Sequence, residues 1–445
     1  MNNLISKTLF PPMLRAGIVI TAAIGIASIQ GTALAQAKDP ELPPLAKMRD
    51  TNNNNRIERS EAGGPLAPNF DKIDCDKSGN LDGNEIFGYF LGGGCKKAAS
   101  TTTPAQAPNA VGSATPAQAQ GKELIFNIFI PKRAPVVARG MIPWARQVEK
   151  ASGGTINIKI PTATLAPSTR QFDIVQDGVA DIAVAIDLSR ARQIQLPTVT
   201  KIPFASPTAT ASSSALWSTH KKYFERVNEY KGFVLLTSYT LESGQIQSSA
   251  IPIRGIADLK KLKIRATPGI ATRMLKAMGA NVVPSPGIKM FELVSGGVVE
   301  GNFAPEGPAM ILGLSGTIKH FTIFPGGFDR QSFSILMNVE SFNGLPANAR
   351  RALTSTSGGK LATRLGALAD LIARRARAVF TEKGAIYHDA SPKFLAAAKM
   401  ATAFVEQEWL KKAAKKGVDA SAALSFYRSQ IKIAKQVRLL DGKGR

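Results

Sequence analysis

From Lys122 to about residue 415, short apolar segments of strand length alternate with segments of helical periodicity. Strands that alternate with helices favour mixed, mostly parallel sheets with helices on both faces. About 320 residues are many for one core of this kind, so the pattern predicts an α/β domain of two lobes. We expect this domain over residues 122–440, with the second lobe over about 246–330. The predicted strands are 124–130, 155–160, 180–186, 233–239, 261–266, 281–283, 332–338 and one within 296–305, and the predicted helices are 137–151, 169–177, 270–278, 288–294, 348–382 and 392–415.

The first 35 residues have the pattern of a secretory signal peptide. Lys7 and Arg15 provide the positive flank, residues 16–29 are apolar, and residues 33–35 form a small-x-small cleavage site. The apolar stretch is shorter than the roughly 20 residues that a membrane span requires. We therefore expect export from the cytoplasm and cleavage after Ala35.

The chain is strongly basic, with 56 Lys and Arg against 32 Asp and Glu, a net charge of +24. Such an excess favours nucleic acid, an anionic membrane surface or small anions as partners. The basic residues are scattered, with small clusters at 259–265 and 411–416, and no aromatic-rich basic motif accompanies them. Together with the export signal, this pattern argues against a nucleic-acid partner.

Two twelve-residue segments within residues 36–97 carry oxygen-bearing side chains at matching positions. They run from Asp50 to Glu61 and from Asp74 to Glu85. Calcium is a hard cation that takes about seven oxygen ligands at flexible geometry. The sixth position must turn with a positive φ, which Gly79 adopts freely and Asn55 tolerates best among residues with a side chain. The predicted ligands are Asp50, Asn52, Asn54, Arg56 (through its carbonyl) and Glu61 in the first loop, and Asp74, Asp76, Ser78, Asn80 (through its carbonyl) and Glu85 in the second.

Both loops resemble those of the EF-hand family, the second more closely. The resemblance implies that residues 36–97 form a small α-helical EF-hand pair with Ca²⁺ as its cofactor. The second loop carries more acidic oxygens than the asparagine-rich first loop, which predicts tighter binding there. A turn rich in Asn and Asp that binds nothing is the alternative, and two loops in register disfavour it.

The segments beside these loops bear on how the chain is organised. Residues 98–121 consist largely of Ala, Thr, Pro and Gln, which cannot bury enough surface to fold and indicate a linker between independent modules. The chain has two cysteines, Cys75 and Cys95. They can pair in an oxidising compartment, but their spacing leaves open whether they do.

Residues 251–305 have the pattern strand, helix, strand, helix, strand. In open α/β sheets, ligands bind beyond the carboxyl ends of the strands. Arg265 lies at one such end, and Asn302 and Phe303 end the third strand on the same edge. A guanidinium is a planar fork that matches a carboxylate. A surface arginine is the alternative that the local sequence leaves open.

Four segments resemble the solute-binding subunits of tripartite ATP-independent periplasmic (TRAP) transporters, the group named for dicarboxylate uptake: 155–186, 256–286, 296–305 and 334–353. The resemblance covers about residues 122–430 and is most specific at Lys263-Ile264-Arg265. It implies a two-lobed periplasmic-binding-protein fold, a periplasmic location, a small carboxylate ligand and the membrane subunits of a TRAP-type transporter as partners. In this family the arginine that matches Arg265 binds the ligand carboxylate.

The chain departs from the family pattern in the segment 296–305. Glu300 replaces an Asp, and Phe303 and Ala304 stand where the family often has Glu and a polar residue. Phe303 therefore suggests a ligand with an apolar portion. In loops of the first lobe, Asp187 and Arg170 are further candidates, although a surface residue at a helix start is the simpler account of Arg170.

The sequence does not indicate an enzyme. Its three histidines (His220, His320 and His388) lack metal-ligand spacing, and no Ser or Cys lies in a recognisable nucleophile motif. The leading prediction is capture of a small organic acid for a transporter. The alternative is a calcium-dependent sensor or interaction protein that uses the two-lobed domain as a platform, and a periplasmic enzyme is the third class.

Overall fold

The computed structural model describes residues 50–52, 54–62, 67–82, 85–86 and 121–441. The chain divides into two compact units between Ala114 and Thr115. The predicted signal peptide and all but the last residue of the predicted linker lie outside the described residues. Within the described part of the chain, no helix is long and apolar enough to cross a membrane.

The small unit is organised by one short antiparallel strand pair. Ile57–Glu58 pairs with Asn80–Leu81, with Ile57 opposite Leu81. These two residues hold the same position in the two predicted loops, so the pairing joins the loops backbone to backbone. Cys75 is disulfide-bonded, and Cys95 lies outside the described residues. The buried core consists of Ile57, Phe70, Ile73, Leu81 and Ile86.

The first lobe of the large unit contains a five-stranded mixed sheet. Lys122–Asn127 is parallel to both of its neighbours, whereas Ser332–Asn338 is antiparallel to both of its own. The apolar segment Ile182–Ile186 lies between these two strands, which explains its continuous burial. In sheet order the strands are Ile156–Lys159, Lys122–Asn127, Ile182–Ile186, Ser332–Asn338 and Phe233–Thr240.

The second lobe contains a six-stranded mixed sheet. One of its edge strands, Ile386–Asp389, lies well beyond the range 246–330 expected for this lobe, because the chain returns from the first lobe to add a parallel strand beside His320–Ile323. The two sheets together have five parallel and four antiparallel pairings. In sheet order the strands are Ile386–Asp389, His320–Ile323, Gln245–Ser248, Gly301–Ala304, Lys263–Ala266 and Asn281–Pro284.

Helices cover both sheets, and the expected helix 348–382 is divided at Ser357. Its longer part, Gly358–Glu382, contributes Leu361 and Leu365 to the first-lobe core and Phe380 to a second-lobe core. This helix therefore packs on both lobes. The α-helices are Phe70–Ile73, Ile142–Ala151, Gln171–Gln176, Ala209–Thr219, Ile256–Leu259, Ile270–Ala277, Met290–Ser295, Glu306–Ile311, Val339–Asn343, Ala347–Thr356, Gly358–Glu382, Pro392–Thr402, Phe404–Lys415 and Ala420–Asp441, with π-helical segments at Val137–Met141 and His220–Phe224.

The chain crosses between the sheets twice within the region 241–331, and the two crossing segments lie side by side. The first crossing segment is 241–244 and the second is 324–331. The amide of Gly244 donates to the carbonyl of Asp329 at 2.9 Å, and the amide of Phe328 donates back to Gly244 at 3.2 Å. We call this hydrogen-bonded pair of segments the hinge.

The sequence did not predict the strand Gln245–Ser248, because most of its buried side chains are polar. Gln245 and Gln247 are buried, and their side-chain amides donate to the carbonyls of Phe324 and Ala304 at 3.2 and 2.9 Å. Hydrophobic periodicity detects strands that bury apolar side chains. It does not detect a strand whose buried side chains are satisfied by hydrogen bonds.

Candidate functional site

Arg265 lies in the interior of the six-stranded sheet, near the carboxyl end of Lys263–Ala266. Parallel neighbours place Asn302 on one side and Val283 on the other, in register with it. Only 1% of its surface is exposed. The exposed arginine that the local sequence left open is therefore not what the structure shows.

The guanidinium of Arg265 contacts neutral oxygens. Its Nε and Nη2 donate to the carbonyl of Ser285 at 3.1 and 2.6 Å, and Nη2 also donates to Thr267 Oγ1 at 3.1 Å. Its Nη1 makes one long contact of 3.5 Å with the carbonyl of Phe303. Within the described residues, no carboxylate oxygen lies within the 4.0 Å of an ion pair.

This environment leaves a buried cation poorly compensated. Burial lowers the pKa of Arg265 to about 10, and the charge of Asp329 opposes that shift. A buried cation without a charged partner creates a local demand for negative charge. The arrangement is suited to an anion that brings its own carboxylate.

Asn302 lies beside Arg265 and, as its register partner, projects from the same face of the sheet. Its Nδ2 donates to Gln247 Oε1 at 2.8 Å, which fixes the side chain. Its Oδ1 is buried and has no hydrogen-bond partner among the described residues. A buried acceptor without a donor suits a ligand that carries a hydroxyl or amine.

Phe303 projects from the opposite face, because neighbouring residues of a strand alternate. Its ring meets Phe328 edge-on at a centroid distance of 5.4 Å, and Phe328 also packs against Phe324 and Phe204. A Cβ at Gly244 would lie 3.0 Å from the Phe303 ring, so the glycine lets the hinge backbone pass close to it. The sequence placed Phe303 beside Arg265, but its ring belongs to the packing of the hinge.

The two first-lobe candidates have different surroundings. Asp187 is buried, and its Oδ1 accepts hydrogen bonds from the hydroxyls of Tyr230 and Ser334 at 3.1 and 2.6 Å. Burial raises the pKa of Asp187. Arg170 is exposed and forms an ion pair with Asp173. In the described structure, no hydrogen bond or ion pair joins either candidate to Arg265.

The hinge contains buried charges that sequence reasoning missed. Arg330 is buried and donates to the carbonyls of Leu241 and Ser206 at 3.2 and 2.7 Å. Asp329 beside it pairs with Lys201 at 3.0 Å. Asp329 and Arg330 stand in an irregular segment, where periodicity gives no indication of burial.

The two predicted calcium loops fold alike around their first residue. Asp50 accepts hydrogen bonds from the amides at loop positions 5 and 6 at 3.0 and 2.8 Å. Asp74 accepts from the same two positions of its own loop, both at 3.0 Å. The sixth residues, Asn55 and Gly79, have the expected positive φ of 64° and 81°. The backbone therefore turns in the same way in both loops.

The glutamates at the twelfth position of the two loops also make matching hydrogen bonds. Glu61 and Glu85 each accept hydrogen bonds from the amides at positions 2 and 9 of their loops, at 2.8 and 3.2 Å and at 2.7 and 3.1 Å. Carboxylate oxygens of Asp74, Asp76 and Glu85 lie within 4.8 Å of one another, which suits a hard cation that prefers oxygen ligands. Across the residues that the structure describes, this is the one carboxylate, Cys or His group of such compactness.

Comparison with known proteins identifies the class of the large unit. Residues 129–413 match the family described as bacterial extracellular solute-binding protein, family 7. The chain belongs to this family. The match lies within the large unit, so the two predicted calcium loops lie outside the part of the chain that matches the family.

Relatives of this family-7 protein include crystallised TRAP solute-binding proteins. One, from Bordetella bronchiseptica, was solved with bound (R)- and (S)-mandelate; it is 31% identical with a TM-score of 0.66, over 70% of this chain and 98% of that one. Another, from a marine metagenome, is specific for aromatic acid ligands and was solved with metahydroxyphenylacetate; it is 26% identical with a TM-score of 0.64, over 70% and 99% of the two chains. The outer membrane transporter protein TsaT of Comamonas testosteroni is 30% identical over 314 residues, 70% of this chain and 93% of its own.

These relatives confirm the coarser predictions for the family-7 unit. The two-lobed α/β fold of periplasmic binding proteins and the membership among TRAP-type solute-binding proteins are as predicted. Such proteins are periplasmic and act as solute receptors, not as enzymes. The ligand residues, the calcium sites and the signal cleavage remain predictions.

Proposed function

We propose that this protein is a periplasmic receptor that captures a small organic acid for a TRAP-type transporter. The observation that carries the proposal is Arg265, a buried guanidinium whose direct partners are neutral oxygens. Desolvating such an ion without a counter-charge costs several kcal/mol. A ligand carboxylate bound through charge-assisted hydrogen bonds offsets that cost.

We further propose that the ligand is an aromatic acid with a hydroxyl group. The carboxylate would meet Arg265, and the hydroxyl would donate to the unpartnered Oδ1 of Asn302. The ligands of the two crystallised relatives, mandelate and metahydroxyphenylacetate, each combine an aromatic ring, a carboxylate and a hydroxyl. The membrane subunits of the transporter are the expected partners, and residues 1–35 the expected export signal.

A thermal-shift screen of aromatic and aliphatic carboxylic acids tests this proposal, with mandelate as the first probe. Wild type should be stabilised by a subset of the acids, and Arg265→Ala should not respond to them. Arg428→Ala is the matched control, because it also removes an arginine but from a solvent-accessible ion pair with Glu406. Equal responses of wild type and Arg265→Ala would remove Arg265 from the site.

We propose calcium binding as a second function, carried by the EF-hand-like loops of the small unit. The shared turn, the closing glutamates and the group Asp74, Asp76 and Glu85 support it. EF-hand modules of extracellular proteins bind Ca²⁺ at about 10⁻⁴–10⁻³ M. Calorimetry on the full chain should show two ions, the tighter one lost in Glu85→Gln and the weaker one in Glu61→Gln.

The same titrations separate the receptor from the alternative of a calcium-dependent sensor. A sensor requires calcium and ligand to change each other's affinity, because binding coupling is reciprocal. We expect mandelate affinity to be the same with and without calcium. No calcium heat at millimolar concentration would remove the calcium proposal and leave the receptor proposal intact.

A further inference from the structure

Glu242 occupies the first crossing segment of the hinge, where elements of both lobes meet. The side chain is buried, and its Oε1 accepts a hydrogen bond of 2.8 Å from the amide of Gly307. That amide opens the second-lobe helix Glu306–Ile311. A Cβ at Gly307 would lie 2.3 Å from Glu242 Oε1 and 2.6 Å from Ile372 of the long shared helix. The carboxyl group is therefore confined between the hinge, the second lobe and the helix that packs on both lobes.

The charges that face Glu242 do not neutralise it. Within the described residues, no cationic atom lies within 4.0 Å of its carboxylate. Arg330 of the second crossing segment attracts it, and Asp370 of the helix Gly358–Glu382 repels it. The adjacent Glu306 is engaged elsewhere, with Arg377 and Tyr387 at 3.0 Å each. Burial therefore dominates and raises the pKa of Glu242 to about 7.

We propose that Glu242 is a positioning residue of the hinge that takes up a proton when the lobes enclose the acid ligand. The inference rests on the proposed receptor function. An ionised carboxylate is costly to bury without a counter-ion, whereas a protonated one is not. The protonated group still accepts the Gly307 amide through its carbonyl oxygen. The proton comes from solvent, so an anionic ligand and one proton enter together.

The sign and size of the effect follow from linkage. The enclosed arrangement holds more protons than an open one in which Glu242 is hydrated, so a fall in pH favours enclosure. With a pKa near 4.5 when hydrated and about 7 when enclosed, ligand affinity should be about tenfold higher at pH 6 than at pH 8. A benzoate-type ligand stays ionised over this range and adds no titration of its own.

Calorimetry with mandelate at pH 7, in two buffers of different ionisation enthalpy, measures the proton directly. Wild type should take up about half a proton per ligand bound. Glu242→Gln is nearly isosteric and permanently neutral, so it should show no uptake and a pH-independent affinity, about 30-fold above that of wild type at pH 6 and about 300-fold above it at pH 8. Glu306→Gln, a second buried carboxyl that has its own partners, is the control and should keep the uptake. No uptake in wild type, or equal uptake in Glu242→Gln, overturns the proposal.

A second measurement separates this inference from the receptor proposal. The ¹³C resonances of labelled Glu carboxyls, compared between wild type and Glu242→Gln, identify the Glu242 signal and its titration with and without mandelate. A midpoint that moves from near 4.5 without mandelate to near pH 7 with it supports the proposal, and a midpoint that mandelate leaves unchanged refutes it. If mandelate and every other screened acid give no heat with any variant, the receptor proposal fails, while this titration still decides the state of Glu242.

Discussion

Two buried arginines of the large unit, Arg265 and Arg330, solve the same electrostatic problem differently. Each is at most 3% exposed, and neither forms an ion pair with a described residue. Arg330 feels the nearby carboxylates of Asp370, Glu242 and Asp329, whereas Arg265 feels Asp329 alone. The protein therefore compensates Arg330 from within, whereas we propose that Arg265 depends on an external anion.

Their hydrogen bonds agree with this difference. Arg330 donates to the first crossing segment through Leu241 and to a separate loop through Ser206, so it joins segments that are distant in sequence. The partners of Arg265 all belong to the second lobe. Removing Arg330 should therefore damage the fold, and removing Arg265 should damage binding.

The largest expected effect is the loss of ligand in Arg265→Ala. Truncating one member of a buried guanidinium–carboxylate pair costs about 2–5 kcal/mol, or roughly 30-fold to several thousand-fold in affinity. Arg265→Lys should rescue little, since an ammonium keeps the charge but not the planar fork. Titration of both variants with mandelate measures the effect, and a thermal transition near that of wild type shows that the fold is intact. Near-equal affinities of wild type and Arg265→Ala for mandelate would show that Arg265 does not bind the ligand carboxylate and so does not differ from Arg330 in this respect.

Arg330→Met should produce the complementary phenotype. The substitution keeps most of the apolar stem but leaves two buried carbonyls and the facing carboxylates without their cation. Such losses destabilise by about 2–5 kcal/mol, measurable as a lower midpoint in urea denaturation. A change below about 0.5 kcal/mol would mean that Arg330 does not hold the hinge.

The pH dependence of stability sharpens the account of the hinge charges. Since the pKa of Glu242 is about 7 when it is enclosed and 4.5 when it is hydrated, its contribution to the stability of the mandelate-bound protein is fully present below pH 4.5 and is lost as pH rises through 7. Glu242→Gln removes this loss. With saturating mandelate, the variant should exceed wild type by about 1–3 kcal/mol at pH 8 and match it near pH 5, as measured by chemical denaturation at both values. If the free energies of unfolding of Glu242→Gln and wild type differed by the same amount at both pH values, the substitution would act through packing and not through the charge of Glu242.

Arg265 and the hinge also show what sequence can and cannot predict. The strand that carries Arg265 alternates apolar and polar residues and precedes a glycine turn, so its place at a strand end was predictable. Its burial was not, because burial depends on the neighbouring strands that flank Arg265.

The first-lobe helix Ala209–Thr219 was missed for another reason. Its small residues allow close contact with Gly366, where a Cβ would lie 2.6 Å from the carbonyl of Ala209, and such a surface lacks a large apolar stripe.

The smallest expected effect on binding concerns Asp329, the one carboxylate that acts on both arginines. Asp329→Asn removes the negative charge near Arg265, so a bound carboxylate would stabilise that guanidinium more strongly than in wild type. A single charge at an effective dielectric constant of about 20 changes the interaction by about 0.5–1 kcal/mol at moderate distance, so mandelate should bind a few-fold more tightly. Lys201 loses its ion pair with Asp329 but keeps Gln331 at 3.3 Å, so the protein should remain folded at reduced stability.

Asp173→Asn, which removes a carboxylate from the pairs with Arg170 and Arg190, is the matched control and should leave affinity unchanged. Weaker binding in Asp329→Asn would show that Asp329 positions Arg265 for the ligand, and the comparison would then rest on geometry and not on charge.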